Sequence, residues 1–249
     1  MTGRRLAELD EVDSTNAHAH RLSATGERGP LWIRANTQSA GRGRKGRHWV
    51  SKPGNLYTTL LITPDTPLAS LSQLSFVTSL AVHDLAAHVL GTDADLSLKW
   101  PNDVLLKGHK LSGILAETIP VTGSDRVSVA IGCGINLQHA PQDTRYGATC
   151  LADHGAKVEP HEAWPHYIDA FSNWLEIWSD GRNFNAIRQA WTDRSRQIGT
   201  SISLDLGGKI ISGLFQGLSV DGALVLETSD GATQLIRAGD VIRSMAVDR

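Results

Sequence analysis

The chain has 249 residues, of which 41% are hydrophobic, and its formal net charge at pH 7 is -2. This length and hydrophobic content allow one domain of ordinary size plus a small one, with a substantial core. The near-neutral charge is not that of a globally basic nucleic-acid binder. No apolar run approaches the ~20 residues that span a bilayer, and the N-terminus lacks the apolar stretch of a signal peptide, so we expect a cytoplasmic protein.

Cysteine and histidine usage predicts neither a disulfide framework nor a structural metal site. Cys133 and Cys150 are the only cysteines, which is too few for a framework, and they lack metal-ligand spacing. The ten histidines are scattered, without a neighbouring cysteine or carboxylate cluster. We therefore expect two reduced thiols and no protein-bound metal.

The first ninety residues predict strands and two helices. Alternating apolar and polar residues predict a strand over 4–12, and further strands are predicted over 31–35 and 56–63, the last rich in β-branched and aromatic residues. An Ala-rich helix is predicted over 17–24 and a long amphipathic helix over 68–90. The candidate N-caps of the first helix are Asp13, Ser14, Thr15 and Asn16.

The middle of the chain continues with strands and then changes to helices. Strands are predicted over 94–100, 104–106, 111–118 and 127–135. Residues 136–156 predict a long loop with a weak helical piece. Two helices follow over 160–179 and 183–193, and their aromatic residues are expected in the core.

From about Gly199 the sequence predicts a separate small β module. Turn signals at Gly207-Gly208, Asp221-Gly222 and Asp230-Gly231 separate short β runs, which is typical of an antiparallel barrel of SH3-like size. We place a domain boundary near residue 196, giving domains over 1–196 and 197–249. Because strands dominate the first domain and few helices lie between them, its fold class is α+β, with a mixed, largely antiparallel sheet and packed helices.

A basic, glycine-rich loop lies between the second and third predicted strands. It runs from Thr37 to Trp49, and the surrounding sequence has no Asp or Glu between Glu27 and Asp65. Glycine lets backbone N–H groups approach a ligand, and the cations would surround it, so the loop predicts an anion site. A solvated, mobile basic loop is the alternative. Its glycines and cations are Gly41, Arg42, Gly43, Arg44, Lys45, Gly46 and Arg47.

A second polar stretch, Lys99-Trp100-Pro101-Asn102-Asp103, lies at the end of a predicted strand. Pro101 moves Trp100 away from α geometry, and the polar residues on either side are presented where binding residues commonly lie. A simple turn between two strands would explain the same pattern. Lys110, which enters an apolar strand, is either an edge-protecting charge or a functional cation.

Taken together, five motifs resemble those of the biotin protein ligase family. In order, they are Ser14-Thr15-Asn16, Gln38 with Gly41 to Arg47, Lys99 to Asp103, Lys110 to Glu117, and Gly132 to Leu137. The resemblance spans the chain, including the C-terminal β module. It implies a catalytic domain like those of biotin ligases and class II aminoacyl-tRNA synthetases, followed by an SH3-like barrel.

The resemblance implies a biotin--[biotin carboxyl-carrier protein] ligase. Biotin's carboxylate would attack the α-phosphate of ATP, giving biotinyl-5'-AMP and pyrophosphate, and a lysine of an acceptor domain would then attack the acyl adenylate. Mg²⁺ would accompany ATP. The implied partner is the biotin carboxyl carrier protein of acetyl-CoA carboxylase or of a related carboxylase, with no DNA and no membrane, and a homodimer is left open.

The resemblance also implies which residues bind and react. The biotin-binding residues would be Ser14, Thr15, Asn16, Gln38, Gly41, Arg42, Gly43, Arg44, Lys110 and Gly113. The ATP- and adenylate-binding residues would be Arg44, Arg47, Trp49, Lys99, Asn102, Asp103, Lys110 and Asn136. The catalytic residues would be Lys110, Arg44 and Arg47, with Lys110 bridging the biotin carboxyl group and the α-phosphate. The basic loop is expected to be mobile when empty and to close over the adenylate.

Two alternatives remain at this point. A lipoate or octanoate ligase-like transferase would share the core architecture, and a non-catalytic nucleic-acid-binding module could use the basic loop. Against the latter, acids and bases are balanced over residues 199–245. Thirteen residues precede Ser14, too few for a helix-turn-helix, so we expect a ligase without repressor activity.

Overall fold

The computed structural model describes residues 5–142 and 147–245. Parts of three predicted segments therefore lie outside the described residues, namely Arg4, residues 143–146 and residues 246–249. The strands before residue 196 are β1 (Leu6–Val12), β2 (Leu31–Gln38), β3 (Leu56–Ile62), β4 (Leu96–Lys99), β5 (Asp103–Leu106), β6 (His109–Pro120) and β7 (Val127–Ile135). The helices are α1 (Thr15–Ala24), α2 (Leu74–Leu90), α3 (Pro160–Trp178) and α4 (Phe184–Asp193).

The seven strands form one sheet in the order β1-β2-β3-β7-β6-β5-β4. Only β1 and β2 pair in parallel, and the other neighbours are antiparallel. This arrangement confirms the predicted α+β class with a mixed, largely antiparallel sheet. Because β6 is much longer than β5, its second half pairs with β7 alone.

Side chains alternate between the two faces of the sheet, as a period of two requires. On one face, Ile33, Leu61 and Ala130 pack with Ala19 of α1. On the other face, Trp32 makes edge-on contacts with aromatic rings of α3, at centroid distances of 5.1 to 5.8 Å. The predicted core role of the aromatic residues in the two late helices is thus confirmed. No helix of the described ranges is long and apolar enough to cross a membrane.

Several element boundaries differ from the predictions, and three of the differences have a local cause. Residues 68–73 form a 3₁₀ turn, so α2 starts at Leu74, not at residue 68. The predicted strand over 94–100 is shorter, because a turn closed by Leu96 N–H donating to Asp93 O precedes it. The first helix starts at Thr15, two residues early, since the Ser14 hydroxyl accepts a hydrogen bond from Ala17 N–H as N-cap.

A second, five-stranded antiparallel sheet forms the C-terminal module, in the order β11-β10-β9-β8-β12. Its strands are β8 (Ser201–Asp205), β9 (Ile210–Leu218), β10 (Leu224–Glu227), β11 (Thr233–Ile236) and β12 (Asp240–Met245). The predicted turns at Gly207-Gly208, Asp221-Gly222 and Asp230-Gly231 connect successive strands as expected.

The barrel packs against the helices of the first domain. Buried residues of β8, β9 and β10 belong to the same hydrophobic cluster as α2, α3 and α4. The indole Nε1–H of Trp100, itself 2% exposed, donates to Gly222 O at 3.3 Å. As a result, Gly239 and Asp240, at the start of β12, lie next to residues of the first domain.

Candidate active site

A cavity of about 290 Å³ lies where the basic loop, β6, β7 and the start of β12 meet. Fifteen of the sixteen site residues predicted from the sequence line it. The exception is Gly41, which is buried within the loop. A Cβ there would come within 2.5 Å of Trp49 O. The lining residues are Ser14, Thr15, Asn16, Gln38, Arg42, Gly43, Arg44, Arg47, Trp49, Lys99, Asn102, Asp103, Lys110, Gly113 and Asn136.

The basic loop is folded back on itself by its own backbone. Trp49 N–H donates to Gly41 O at 2.9 Å, and Gly43 N–H donates to Arg47 O at 2.7 Å. Between these bonds the chain makes a 3₁₀ turn in which Lys45 has a φ of 56°, a left-handed conformation that costs a non-glycine residue energy. The turn directs the alternating arginines to different ends of the cavity.

One end of the cavity is lined by uncharged hydrogen-bonding groups. The Gln38 carboxamide oxygen accepts from Thr15 N–H at 2.9 Å and from the Thr15 hydroxyl at 3.1 Å, while its Nε2 donates to Ser51 Oγ at 2.9 Å. The buried Thr59 hydroxyl donates to Asn16 Oδ1 at 2.7 Å. These groups are suited to a polar, uncharged ligand that presents donors and acceptors.

Glu117 lies at the rim of this uncharged end. Its Oε2 accepts from Asn16 Nδ2 at 2.8 Å and from the Arg42 guanidinium at 3.2 Å. Asn16 Nδ2 also donates to Leu115 O at 3.1 Å. The amide of Asn16 is therefore fully engaged with the protein, and Arg42 is held at the uncharged end by a carboxylate of β6.

The opposite end of the cavity is strongly cationic. Lys110 Nζ lies 2.6 Å from Asp103 Oδ1, and the Arg44 guanidinium donates to Asn102 Oδ1 at 3.1 Å. Burial lowers the pKa of Lys99 and the pKa of Arg44, because a low-dielectric site disfavours the charged form. The charged forms of such buried groups are stabilised most by an anion that binds beside them.

Asp240, from the barrel, is the counter-charge of the basic loop. Its carboxylate lies 3.0 Å from Lys45 Nζ, 3.2 Å from Arg47 Nη2 and 3.5 Å from Arg44 Nη1. Arg44 also donates to Gly239 O at 3.2 Å. Burial would raise the pKa of Asp240, but the hydrogen bond from Lys45 and the nearby arginine charges outweigh it and hold that pKa below its ordinary value. Asp240 is therefore ionised at neutral pH.

Trp49 lies across a pair of glycines in the floor of the cavity. Gly113 of β6 pairs with Gly134 of β7, and a Cβ at Gly134 would lie 2.5 Å from Trp49 Nε1. A Cβ at Gly113 would lie 2.9 Å from the same indole. Lys110 Nζ lies 5.5 Å from the indole centroid, within cation–π range. The glycines at the end of β7 and in β6 thus allow an aromatic ring to approach the backbone closely.

Asn55 organises the wall that carries Asn136. Its Oδ1 accepts from the backbone N–H groups of Leu137, Gln138 and His139 at 2.9 to 3.1 Å. Its Nδ2 donates to His139 O at 2.8 Å. Asn55 is 3% exposed, so a single buried side chain fixes the three residues that follow Asn136.

Neither cysteine takes part in this chemistry. Both are free and buried. Burial raises the pKa of Cys133 to about 12, so the thiol is neutral and a poor nucleophile at neutral pH.

Four residues of the site were not assigned roles from the sequence: Thr59, Glu117, Asn55 and Asp240. Glu117 had a visible signal, because it is a carboxylate within an apolar strand. Asn55 follows Pro53-Gly54 and carries only the signal of a turn. Asp240 carries no local signal, although a loop with four cations and no acid requires a counter-charge from elsewhere in the chain.

Comparison with known proteins agrees with these features. Residues 8–136 match the sequence model of the Biotin/lipoate A/B protein ligase family, and residues 198–244 match that of the biotin protein ligase C terminal domain. The chain is 39% identical over 239 residues to a biotin--[acetyl-CoA-carboxylase] ligase of Paracoccus denitrificans, covering 94% of this chain and 98% of the relative. A ligase with the same description from Mycobacterium tuberculosis is 32% identical over 246 residues, covering 96% of this chain and 89% of the relative.

The fold comparison gives the same result. The biotin protein ligase of Aquifex aeolicus, solved in complex with biotin and ATP, superposes with a TM-score of 0.80 at 28% identity. The match covers 96% of this chain and 98% of that chain. The predicted family resemblance and the predicted barrel are thereby confirmed.

Proposed function

Because the chain belongs to the biotin/lipoate A/B protein ligase family, we propose that it attaches biotin to a carrier protein in an ATP-dependent reaction. The observation that carries the proposal is one cavity with an uncharged hydrogen-bonding end, a cationic end and Lys110 at the cationic end, paired with Asp103. Biotin is a neutral ureido ring with an anionic tail, and ATP is a polyanion. The cavity is matched to the two ligands placed end to end.

At the uncharged end, the ureido ring of biotin binds between Thr15, Gln38 and the N-cap residue Ser14. A buried ureido group needs both donors and acceptors, since an unpaired polar group in such a site costs about 1–3 kcal/mol. Hydroxyl and carboxamide side chains supply both kinds. Arg42, held by Glu117, closes this end from the rim.

At the cationic end, the first step joins two anions. The carboxylate oxygen of biotin attacks the α-phosphorus of ATP, the bond to the β-phosphate oxygen breaks, and pyrophosphate leaves. Lys110 reduces the repulsion between the carboxylate and the α-phosphate, while Arg44 and Arg47 stabilise the phosphates. Preorganised cations of this kind commonly contribute 10²- to 10³-fold to a rate.

In the second step, the neutral amine of an acceptor lysine attacks the acyl carbon of biotinyl-5'-AMP, and AMP leaves. The adenylate is a mixed anhydride that water would hydrolyse. Trp49 and the basic loop cover it, and exclusion of water from such a site protects a reactive intermediate. The adenosine lies towards Asn102 and Asn136.

The site fits a Mg²⁺ ion that arrives with ATP. Mg²⁺ is commonly held by one or two carboxylates together with substrate phosphates. The described residues form no group of three or more His, Cys, Asp or Glu side chains that could hold a metal ion, whereas Asp103 and Asp240 place carboxylates on the cavity wall. Either could ligate the ion, which would neutralise phosphate charge.

The acceptor is a biotin carboxyl carrier domain of acetyl-CoA carboxylase or of a related carboxylase. The name of the Paracoccus denitrificans relative, biotin--[acetyl-CoA-carboxylase] ligase, supports this assignment. We place the end of the catalytic domain near residue 196, in the segment between α4 and β8, so that the barrel beyond it contributes Asp240 to the site.

The test is transfer of biotin to a carrier domain. The protein is incubated with ATP, Mg²⁺, biotin and a purified carrier domain, and intact mass spectrometry follows the acceptor. We expect the mass of one biotinyl group to be added, and only when ATP is present. Reactions with lipoate or octanoate in place of biotin provide the comparison. Transfer of lipoate without transfer of biotin would refute the proposal.

A further inference from the structure

One carboxylate oxygen at the rim of the uncharged end contacts groups from two separate segments. Glu117 Oε2 lies 2.8 Å from Asn16 Nδ2 and 3.6 Å from His20 Nε2, both on α1, and 3.2 Å from Arg42 Nη2 on the basic loop. Glu117 stands on the second half of β6, which β5 does not cover. Its side chain is 26% exposed, so water competes only partly for these contacts.

Glu117 and the Leu115 carbonyl together fix the orientation of the Asn16 amide. An ionised carboxylate can only accept hydrogen bonds, so Asn16 must turn its Nδ2 towards Glu117 and Leu115 O. Its Oδ1 then faces Thr59. Because a carboxamide oxygen can only accept, the single hydroxyl proton of Thr59 is committed to Asn16, at 2.7 Å.

The same order continues to the residues at the uncharged end. Thr59 Oγ1 lies 2.8 Å from Thr15 Oγ1, and Thr15 N–H donates to Gln38 Oε1 at 2.9 Å. Each group in this chain is buried or half-buried, and a misoriented donor or acceptor there would be left unpaired at a cost. Two groups that can only accept, Glu117 and Leu115 O, therefore fix the Asn16 end of this buried network.

We infer that Glu117 is a positioning residue that orients the hydrogen-bonding groups at the biotin end and holds Arg42 over them. The inference rests on the proposed function, since it names biotin as the ligand of that end. Glu117 itself need not touch biotin. It acts through Asn16 and Arg42, the two side chains that it contacts by hydrogen bonds.

The decisive variant is Glu117→Gln, which keeps the size of the side chain but removes its charge. A glutamine amide carries no charge and can present either an oxygen or an NH₂ group, so the charge-assisted hydrogen bonds from Asn16 and Arg42 are lost. We expect the KM for biotin to rise about tenfold, the effect of losing one well-oriented hydrogen bond in the bound state. The KM for ATP should stay within twofold, because the phosphate end is held separately by Asp240. Both values come from biotin-dependent exchange of pyrophosphate into ATP.

Two further variants keep the result interpretable. Glu11→Gln removes an exposed acid on β1 and should leave both KM values unchanged. Glu117→Asp retains the charge on a shorter side chain, so its KM for biotin should lie between those of the wild type and Glu117→Gln. The thermal midpoint of each variant reports loss of fold.

The inference is overturned if Glu117→Gln binds biotin like the wild type, or if only Glu117→Asp is impaired. A parallel rise of both KM values with a lowered thermal midpoint would also overturn it, since Glu117 would then be purely structural. A wild-type enzyme that shows no biotin-dependent exchange would refute the proposed function itself, which is a separate outcome.

Discussion

The substitution Gly132→Ala tests the geometry of the uncharged end most directly. Gly132 lies in β7, and a Cβ placed on it would come within 2.1 Å of Asn16 Oδ1 and 2.9 Å of Asn16 Cγ. The backbone of Gly132 does not require glycine, because its φ is not positive. The whole penalty of alanine is therefore steric and falls on one buried side chain.

Its magnitude follows from the bonds that Asn16 would lose. The amide must move by more than 1 Å, which disrupts hydrogen bonds with Thr59, Leu115 and Glu117. Neutral hydrogen bonds contribute about 1 kcal/mol each and one to a carboxylate about 2 kcal/mol. Alanine recovers about 1 kcal/mol relative to glycine within a strand. We expect the free energy of unfolding to fall by about 3 kcal/mol.

A double-mutant cycle with Asn16→Ala isolates this contact. In the Asn16→Ala background the clash and the three hydrogen bonds are already absent, so Gly132→Ala should change the free energy of unfolding by less than about 0.5 kcal/mol or stabilise slightly. Urea denaturation of the wild type, both single variants and the double variant measures the coupling. Equal destabilisation by Gly132→Ala in both backgrounds would refute the reasoning.

Three other predictions concern the cationic end and its walls. Lys110→Ala should reduce adenylation about 10²-fold, because it removes a transition-state electrostatic contact. Near-normal pyrophosphate exchange would show that Lys110 is not a catalytic residue. Asn55→Ala leaves three backbone N–H groups without their acceptor, so the KM for ATP should rise about tenfold with little change in biotin binding, and an unchanged KM for ATP would contradict this. The lowered pKa of Asp240 means that its contribution to stability is present above the unfolded pKa of about 4 and is lost as pH falls through the lower folded value. Asp240→Asn should therefore reduce the decrease in thermal midpoint below about pH 4. A decrease as large as that of the wild type would argue against the ion pairs.

The sequence predicts the sheet well because the signals of its strands are local. The β-branched residues of β3 and the glycine-bounded turns of the barrel act on their own neighbours along the chain. The start of α2 was less predictable. Apolar spacing of three or four residues fits both a 3₁₀ turn and an α-helix, so residues 68–73 were assigned to the wrong one.

The candidate site was predictable only in part, for the same physical reason. Lys110, Arg44 and the other motif residues carry their chemistry in their own side chains, and the fold brings them together at one cavity. Asp240 and Glu117 are defined by the partner that they meet, and those partners lie 193 and 75 residues away in the hydrogen bonds to Arg47 and Arg42. The spacing of residues along the chain does not predict such contacts.

The two acids divide the positive charge of a loop that has four cations. Arg44, Lys45 and Arg47 would repel one another if no counter-charge were near, since like charges a few ångström apart interact by several kcal/mol at an effective dielectric constant near 20. Asp240 offsets that repulsion through three ion pairs, yet one carboxylate neutralises only one of the three charges. The remaining positive charge is available to bind phosphate. Glu117 holds Arg42 away from this group, so the loop directs one cation towards the uncharged end and three towards the phosphate end.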